Sequence, residues 1–352
     1  MDTDYILWLN STGLYDYYSN FTYVFVVRCS KSNVNHFSAQ FLPAFYYSIF
    51  LLSLLGNGLV LYIIYKYEKL NSMTNIFLLN LVISDLVFAS SLPFWATYHS
   101  SEWIFGAVMC KMVSSVYYIG FYSSILFLTL MTLDRYLAVV HAVTALKRRR
   151  NMYASISSAA VWGVSVLASV KKIIQFDVRE DGDLGTLCEE TDMTKEVMTR
   201  WQRIGNYQQF IFFFLLPLAI VLYCYFRITV KIVHSRMKEK CRAVKIIFVI
   251  IVAFFICWTP YNVVVLLRAL QALDSGNSGL CGDGLDYALY ITRNIAFLYC
   301  CISPVFYTFV GKKFRNHLKK LLAKRTPCLG SQLSTNQSSR TTSQRVLHTV
   351  HE

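Results

Sequence analysis

Three groups of ionisable side chains stand out in apolar runs of this sequence that reach about 20 residues, the length of a membrane-spanning helix. They are Asp85, the adjacent pair Asp134 and Arg135, and Arg293. Charges in such runs are costly and mark functional sites by default. Asp85 is predicted to be a polar hub or a purely structural hydrogen-bond centre. Asp134 and Arg135 are predicted to hold each other while a site is closed, which is electrostatic chemistry without covalent bonds.

No combination of residues on the predicted outer face supports covalent catalysis. Gly282-Asp283-Gly284 is similar to a fragment of a protease motif. It lies at the extracellular edge, however, with no partner acid in reach of the bilayer. The sequence therefore argues against an enzyme and predicts no catalytic residue, no metal and no organic cofactor.

The composition requires a membrane. Hydrophobic residues make up 55% of the 352 residues and charged residues 15%, against about 25% charged in soluble domains. Backbone groups in lipid must be hydrogen-bonded internally, and the runs are too long and too apolar for barrel strands. The sequence therefore predicts an all-α fold, a seven-transmembrane helix bundle. The predicted spans are 41–66, 74–98, 107–140, 152–174, 207–232, 242–270 and 283–310.

Charge sets the orientation of these spans. Segments rich in Lys and Arg follow the first, third, fifth and seventh spans, so the positive-inside rule places those connections in the cytosol. They are 66–69, 147–150, 227–245 and 312–325. The net charge of +14 then reflects cytosolic loops and not nucleic acid binding. We expect a multi-pass protein of the plasma membrane with an extracellular N-terminus.

Four segments follow from this topology. They are an extracellular N-terminus at 1–40, the bundle at 41–310, a short amphipathic cytosolic helix at 311–325, and a disordered Ser/Thr-rich cytosolic tail at 326–352. The first thirty residues lack the features of a cleavable signal peptide, so the first span is expected to direct its own insertion. Asn10 and Asn20 begin N-glycosylation sequons on the extracellular side.

The predicted outer face carries cysteines, acids and tyrosines. Four extracellular cysteines suggest two disulfides, and spacing alone allows three pairings. They are Cys29, Cys110, Cys188 and Cys281. Tyr15, Tyr17 and Tyr18 are either sulfated and bind a ligand or form a merely solvated tail. Seven acids in the second extracellular loop favour a basic partner.

Several motifs, in order and in separate spans, resemble the rhodopsin-like G-protein-coupled receptors over about residues 41–325. The motifs are Gly56-Asn57, residues 80–85, Asp134-Arg135-Tyr136, Trp162, Pro217 and Cys257-Trp258-Thr259-Pro260. Residues 134–143 and Tyr261 are similar to the chemokine receptor subfamily. That resemblance implies the disulfides Cys110–Cys188 and Cys29–Cys281. Residues 287–289, 293–294 and 296–297 are similar to the XC-type receptors, which bind lymphotactin.

The resemblance assigns roles to residues of the spans. An outward-opening ligand cavity is expected to be lined by Trp95, Trp103, Tyr117, Tyr261, Tyr290 and Arg293. Activation and G-protein coupling are expected to involve Asp134, Arg135, Tyr136, Tyr225, Trp258, Pro260, Pro304 and Tyr307. A sodium ion beside Asp85 and Ser124 is also implied, but Ser303 and Tyr299 depart from the family pattern and weaken that expectation.

The resemblance thus implies a receptor for a secreted basic chemokine that activates an inhibitory-class heterotrimeric G protein. Arg293 stands where most chemokine receptors have a glutamate, so it is expected to bind an acidic group or to pair with an acid across the cavity. The tail is expected to bind receptor kinases and arrestin, and Lys238, Lys240, Arg242 and Lys245 to meet lipid and G protein. The alternatives are a decoy receptor that does not signal, and a transporter or channel.

Overall fold

The computed structural model describes residues 32–67, 72–141, 150–182, 185–191, 195–235, 238–274 and 283–310, together with 316 and 318. Seven helical spans within these ranges are long and apolar enough to cross a membrane, which confirms the predicted bundle. They run Ala39–Tyr67, Met73–Ser100, Gly106–His141, Met152–Gln175, Arg203–Val233, Phe248–Leu270 and Tyr287–Val305.

Breaks divide three of the spans into shorter helices. In chain order the elements are α1 Ser32–Tyr67, α2 Met73–Ser90, α3 Leu92–Ser100, α4 Gly106–Tyr136, α5 Arg150–Gln175, β1 Phe176–Asp181, β2 Gly185–Glu190, α6 Lys195–Phe210, α7 Leu216–Ser235, α8 Lys238–Asp274, α9 Asp283–Phe297 and α10 Tyr299–Val310. Two π-helical turns, Leu137–His141 and Ile211–Leu215, continue α4 and join α6 to α7.

The third span, α4, is the central helix of the bundle. In its most apolar window 67% of the residues are buried, against 28% in the fourth span, α5. Leu167 and Ile174 of α5 are accordingly exposed where lipid would cover them. A helix that is buried all round tolerates small and polar residues, and α4 carries several buried serines. The central helix therefore positions residues for both ends of the bundle.

The seventh span breaks at Leu298, between α9 and α10, and Pro304 lies inside α10 just beyond the break. Proline has no backbone N–H, so the carbonyl of Cys300, one turn earlier, loses its helical partner. Asn57 of α1 supplies a replacement: its side-chain amide donates to the Cys300 carbonyl at 2.9 Å. The Ser53 hydroxyl donates to the same oxygen at 3.4 Å. The first span is thus fastened to the backbone that proline leaves open.

Asn57→Ala is expected to lower the free energy of unfolding by about 1 kcal/mol, the usual scale of an interhelical hydrogen bond in membranes. The buried Cys300 carbonyl would keep only the longer bond from Ser53. The measurement is the thermal unfolding midpoint of the purified protein in detergent. Ser53→Ala is the matched control and should lower the midpoint less. Equal midpoints for wild type and Asn57→Ala would contradict this role of Asn57.

An antiparallel hairpin of β1 and β2 covers the outer end of the bundle, and it is the one feature of the described chain that an all-α prediction omits. Val178 pairs with Cys188 in the ladder, and Cys188 forms a disulfide with Cys110 of α4. This confirms the predicted Cys110–Cys188 pairing. Because disulfides persist in oxidising compartments, the bridge agrees with an extracellular position for this end.

Candidate ligand-binding and signalling sites

A cavity of about 100 Å³ lies beneath the hairpin, between the first, second, third, sixth and seventh spans. Aromatic rings make most of its wall. The lining residues are Tyr46, Trp95, His99, Tyr117, Tyr118, Phe176, Tyr261, Arg293 and Phe297. Four of the six predicted lining residues are therefore in place, namely Trp95, Tyr117, Tyr261 and Arg293. Rings of this kind offer large apolar contact area with polar tips, which suits a peptide or a small organic group.

Arg293 is the charged residue of this cavity wall. Its guanidinium carbon lies 5.1 Å from the centre of the Tyr290 ring. The Arg293 Nε atom is buried and has no hydrogen-bond partner among the described residues. The sequence predicted that Tyr290 lines the cavity. The structure shows instead that Tyr290 packs against the guanidinium of Arg293, which does line it.

The structure corrects the prediction for Trp103. This side chain is 2% exposed and lies in a cluster with Val113 and the Cys110–Cys188 disulfide. Its indole Nε1 donates to the Gly106 carbonyl at 2.9 Å. The reason is local: Trp103 lies just before α4, and its backbone N–H donates to the Thr186 carbonyl of β2 at 2.8 Å. It therefore packs beside the disulfide and does not reach the cavity.

Five cavity residues were missing from the sequence prediction: Tyr46, His99, Tyr118, Phe176 and Phe297. His99 carried a usable signal, because a histidine near the end of an apolar span is uncommon. Phe176 had none, since its place depends on the hairpin that follows α5. The rings of Tyr46 and Phe297 lie 5.6 Å apart, a contact between the first and seventh spans that local sequence does not specify.

Ion pairs neutralise much of the acidic loop. Glu189 is 2.7 Å from Arg179, and Glu190 pairs with Lys172. Lys111 of α4 lies 3.0 Å from Asp177. The hydrogen bond from Lys111 lowers the pKa of Asp177 below its usual value. A lowered carboxyl pKa means that this pairing stabilises the fold at neutral pH and is lost as the pH falls through that pKa.

Ring contacts continue inward from the cavity to Trp258 of α8. The Tyr261 ring of the cavity wall lies 6.0 Å from Trp258. Trp258 in turn stacks on Phe121 of α4, with ring centres 4.1 Å apart, and faces Phe254 at 5.8 Å. Its indole nitrogen is buried and has no partner among the described residues. The sixth span therefore contacts the central helix through the stacked rings of Trp258 and Phe121. No hydrogen bond of the Trp258 indole to a described residue holds these rings in place.

Asp85 lies one layer deeper and receives two hydroxyl donors. Ser124 donates to one carboxylate oxygen at 2.9 Å and Ser303 to the other at 2.6 Å. The adjoining cavity measures about 10 Å³, near the lower limit for a single water. Hard cations prefer many oxygen ligands, and much of this wall is aromatic. The residues present do not fit a sodium ion, because the two Asp85 oxygens already accept hydrogen bonds from Ser124 and Ser303 and few other oxygen ligands line the space.

Among the described residues, no three His, Cys, Asp or Glu side chains cluster closely enough to hold a metal ion.

The cytosolic end of α4 holds the ion pair expected from the sequence. Asp134, which is 3% exposed, accepts hydrogen bonds on Oδ2 from Arg135 and from the Thr74 hydroxyl, both at 2.7 Å. Thr74 belongs to α2 and was not predicted. The Arg135 Nε and Tyr225 hydroxyl are both buried without a partner among the described residues. Tyr136 bonds to His141 at 3.1 Å and thereby closes the π-helical turn.

A wider cavity of about 710 Å³ is a different kind of feature. It lies between α7 and α8, and several of its apolar lining residues, such as Leu222 and Ile256, are exposed on the outer surface of the bundle. In a membrane that surface meets lipid tails. Its wall lacks convergent polar groups, which a specific ligand site needs, so the smaller outer cavity is the better candidate.

Several predicted sites lie outside the described residues. They are Tyr15, Tyr17, Tyr18, Asn10, Asn20, Cys29, Cys281, the tail at 326–352 and, except for residues 316 and 318, the helix at 311–325. The structure also leaves undescribed the side chains of Tyr307, Lys238, Lys240, Arg242 and Lys245. Pro260 and Pro304 lie inside α8 and α10, where the sequence placed them.

Comparison with known proteins assigns the family. The chain matches the profile "7 transmembrane receptor (rhodopsin family)" over residues 56–307. It is 40% identical to C-C chemokine receptor type 4 of Homo sapiens over 293 residues, 83% of this chain and 81% of that receptor. It is 40% identical to C-C chemokine receptor type 3 of Cavia porcellus over 305 residues, 86% and 84% of the two chains.

C-C chemokine receptor type 8 of Homo sapiens is 37% identical over 322 residues, 91% of this chain and 89% of that receptor. The family match includes the second to seventh spans, both cysteines of the Cys110–Cys188 disulfide and the cytosolic ion pair of Asp134 and Arg135. These likenesses speak against a transporter or channel. The chain therefore belongs to the rhodopsin family of seven-transmembrane receptors and within it to the chemokine receptors, as a multi-pass receptor of the plasma membrane and not an enzyme.

Proposed function

We propose that this protein binds a secreted basic chemokine on its outer face and activates an inhibitory-class heterotrimeric G protein. The observation that carries the proposal is the chain of ring contacts from Tyr117 of the outer cavity through Phe88 of α2 to Trp258 on the sixth span. A ligand that repacks the cavity changes a surface on which α8 rests. The names of the related receptors support the ligand class.

The mechanism is a population shift between two arrangements of the bundle. In the arrangement described here Asp134 holds Arg135 at the cytosolic end. A ligand favours the second arrangement only to the extent that it binds it more tightly. Movement of α8 at Pro260, a proline that weakens the helix locally, would open the cytosolic face. Arg135, Tyr136 and Tyr225 would then meet the G protein, with Pro304 and Tyr307 adjusting the seventh span.

Asp85 acts in this scheme as a hydrogen-bond hub between three spans. It joins α2 to Ser124 of α4 and Ser303 of α10. A buried carboxylate is stable in the bilayer only with such partners. We infer that this site works without a bound sodium ion.

The outer and cytosolic surfaces supply the remaining partners. Sulfated Tyr15, Tyr17 and Tyr18 and the acidic loop would attract the chemokine, with glycans at Asn10 and Asn20 and a second bridge, Cys29–Cys281, on the same side. Phosphates on the tail would recruit arrestin after receptor kinases act. Basic cytosolic segments would meet anionic lipid and the G protein.

The ligand is proposed to be of the XC type, lymphotactin. The support is the likeness of residues 287–289, 293–294 and 296–297 to receptors of that type. Arg293 is the chemically distinctive member of the set, because an arginine cannot form an ion pair with a positively charged ligand N-terminus as a glutamate would.

A panel of secreted chemokines, lymphotactin among them, tests this function on cells that display the full chain. We expect at least one to bind and to stimulate nucleotide exchange on an inhibitory-class G protein, and lymphotactin to be the most potent. Uptake is measured in parallel. A chemokine that is internalised without any exchange would overturn the signalling proposal in favour of a decoy receptor. A response to other chemokines alone would remove the XC assignment.

A further inference from the structure

We propose that Arg293 forms an anion subsite at which the ligand's flexible N-terminal segment places the carboxylate of an Asp or Glu side chain. This rests on the proposed function, since it names the chemistry that the chemokine must bring to the outer cavity. Most of a chemokine's attraction to such a receptor is expected to be basic on acidic. The structure assigns the opposite pairing to Arg293, whose positive charge in the cavity wall would attract an acidic group of the ligand.

The first argument is the missing counterion. An arginine side chain stays charged in any protein environment. The ion pairs of the described side chains include none with Arg293. Its described surroundings are instead tyrosines, namely Tyr46, Tyr117, Tyr261 and Tyr290. Tyr46 forms a side-chain hydrogen bond with Arg293 but supplies no opposite charge. A largely buried charge without a counterion is costly, so an arriving anion gains an interaction that the described residues do not provide. The expectation of an acid across the cavity thus finds no support among the described residues.

The second argument is the geometry of the guanidinium. The guanidinium carbon lies 5.1 Å from the centre of the Tyr290 ring, a cation–π contact that occupies none of the N–H donors in a conventional hydrogen bond. The Nε atom is one such donor and is buried without a partner among the described residues. Carboxylates match this edge with two parallel hydrogen bonds.

The third argument is size and charge. A cavity of about 100 Å³ holds one side chain or a short peptide tip, not a folded domain. The hairpin whose Phe176 lines the cavity carries acids, among them the exposed Glu180, which suit a basic folded body. An ammonium group at the tip would be repelled by Arg293. The ligand is therefore basic in its folded part and acidic in the segment that enters.

The subsite can be tested without a chemokine. Purified full-length receptor is unfolded by heat in detergent with benzoate, benzyl alcohol or benzylamine, which share a ring and differ in charge. Benzoate should raise the midpoint with concentration, because a ligand of the folded state stabilises by linkage. Benzyl alcohol and benzylamine should raise it less or not at all. Equal shifts with benzoate and benzyl alcohol would show that no anion subsite exists.

Receptor variants assign the effect to Arg293. Arg293→Gln should abolish the benzoate shift, Arg293→Lys should keep part of it, and Arg293→Glu should exchange it for a shift with benzylamine. Arg179→Gln, on the exposed part of β1, is the control and should keep the full shift. A full benzoate shift in Arg293→Gln would overturn the proposal. If Arg293→Gln does not fold, the two charged variants give the same decision.

A charge swap with the ligand tests the biological form of the inference. In every chemokine of the panel that activates the receptor, the acids before the first cysteine are changed to Lys. We expect potency on wild type to fall by at least about 30-fold, as for a broken buried charge pair, and Arg293→Glu to restore part of it. If none of the chemokines activates the receptor, the proposed function is refuted but the anion subsite is not, because the benzoate experiment tests the subsite separately. Active chemokines that ignore the swap would refute the subsite.

Discussion

Asp134→Asn is expected to raise ligand-independent G-protein activation about 10-fold while ligand binding at the outer face is retained. Asp134 accepts hydrogen bonds from Arg135 and Thr74 on the same oxygen. Hydrogen bonds to a charged group contribute about 1.5–3 kcal/mol, and 1.4 kcal/mol is a factor of 10 in the equilibrium between two arrangements. The amide keeps the shape of the side chain but loses the charge that holds Arg135.

The measurement is nucleotide exchange on an inhibitory-class G protein in membranes with matched receptor amounts. Thr74→Val has nearly the same shape, removes one of the two bonds and should raise basal exchange less than Asp134→Asn does. Ser90→Ala, on an exposed turn of α2, is the control and should leave it unchanged. Basal exchange in Asp134→Asn equal to that of wild type would mean that the ion pair does not restrain Arg135.

The membrane explains why the spans could be predicted so closely. Lipid allows only long, internally bonded helices, so length and apolarity decide where a span lies. The predicted third span, 107–140, accordingly differs from the observed Gly106–His141 by one residue at each end. Pro304 likewise marked a weak point in the seventh span. What the proline alone could not indicate is that Asn57, far away in sequence, donates to the carbonyl that it frees.

The outer face was less predictable because its structure depends on tertiary partners. Hydrophobic periodicity gives no sign of a hairpin whose strands are polar and half-buried. The acids of this loop suggested an open negative surface, yet Glu189 and Glu190 pair with Arg179 and Lys172. Trp103 belonged to an aromatic-rich segment like Trp95, and only the position of the disulfide decides which of the two faces the cavity.

Gly120→Ala is expected to be the most damaging single methyl addition in the bundle, with a loss of about 3 kcal/mol in the free energy of unfolding. Gly120 of α4 lies against the backbone of α2. A Cβ atom there would come within 2.5 Å of the Phe88 nitrogen and 2.7 Å of its Cα. Small residues let helices approach this closely in membranes, and backbone cannot move aside as a flexible side chain does. The second and third spans would separate, which would also disturb the Phe88 ring that contacts Tyr117 and Trp258.

Other glycines of the same bundle give a graded comparison. At Gly56 a Cβ would lie 3.1 Å from the Pro304 ring, so Gly56→Ala should destabilise moderately. At Gly58 and Gly163 nothing lies within 4 Å, and alanine should stabilise these helices by about 0.5–1 kcal/mol through lower backbone entropy in the unfolded chain. Thermal midpoints and cell-surface amounts of the four variants provide the test. If Gly120→Ala were no less stable than Gly163→Ala, the close approach of α2 and α4 would be incorrect. The route from the outer cavity to Trp258 would then lose its packing basis, because Gly120 and Phe88 set the distance between the helices that form it.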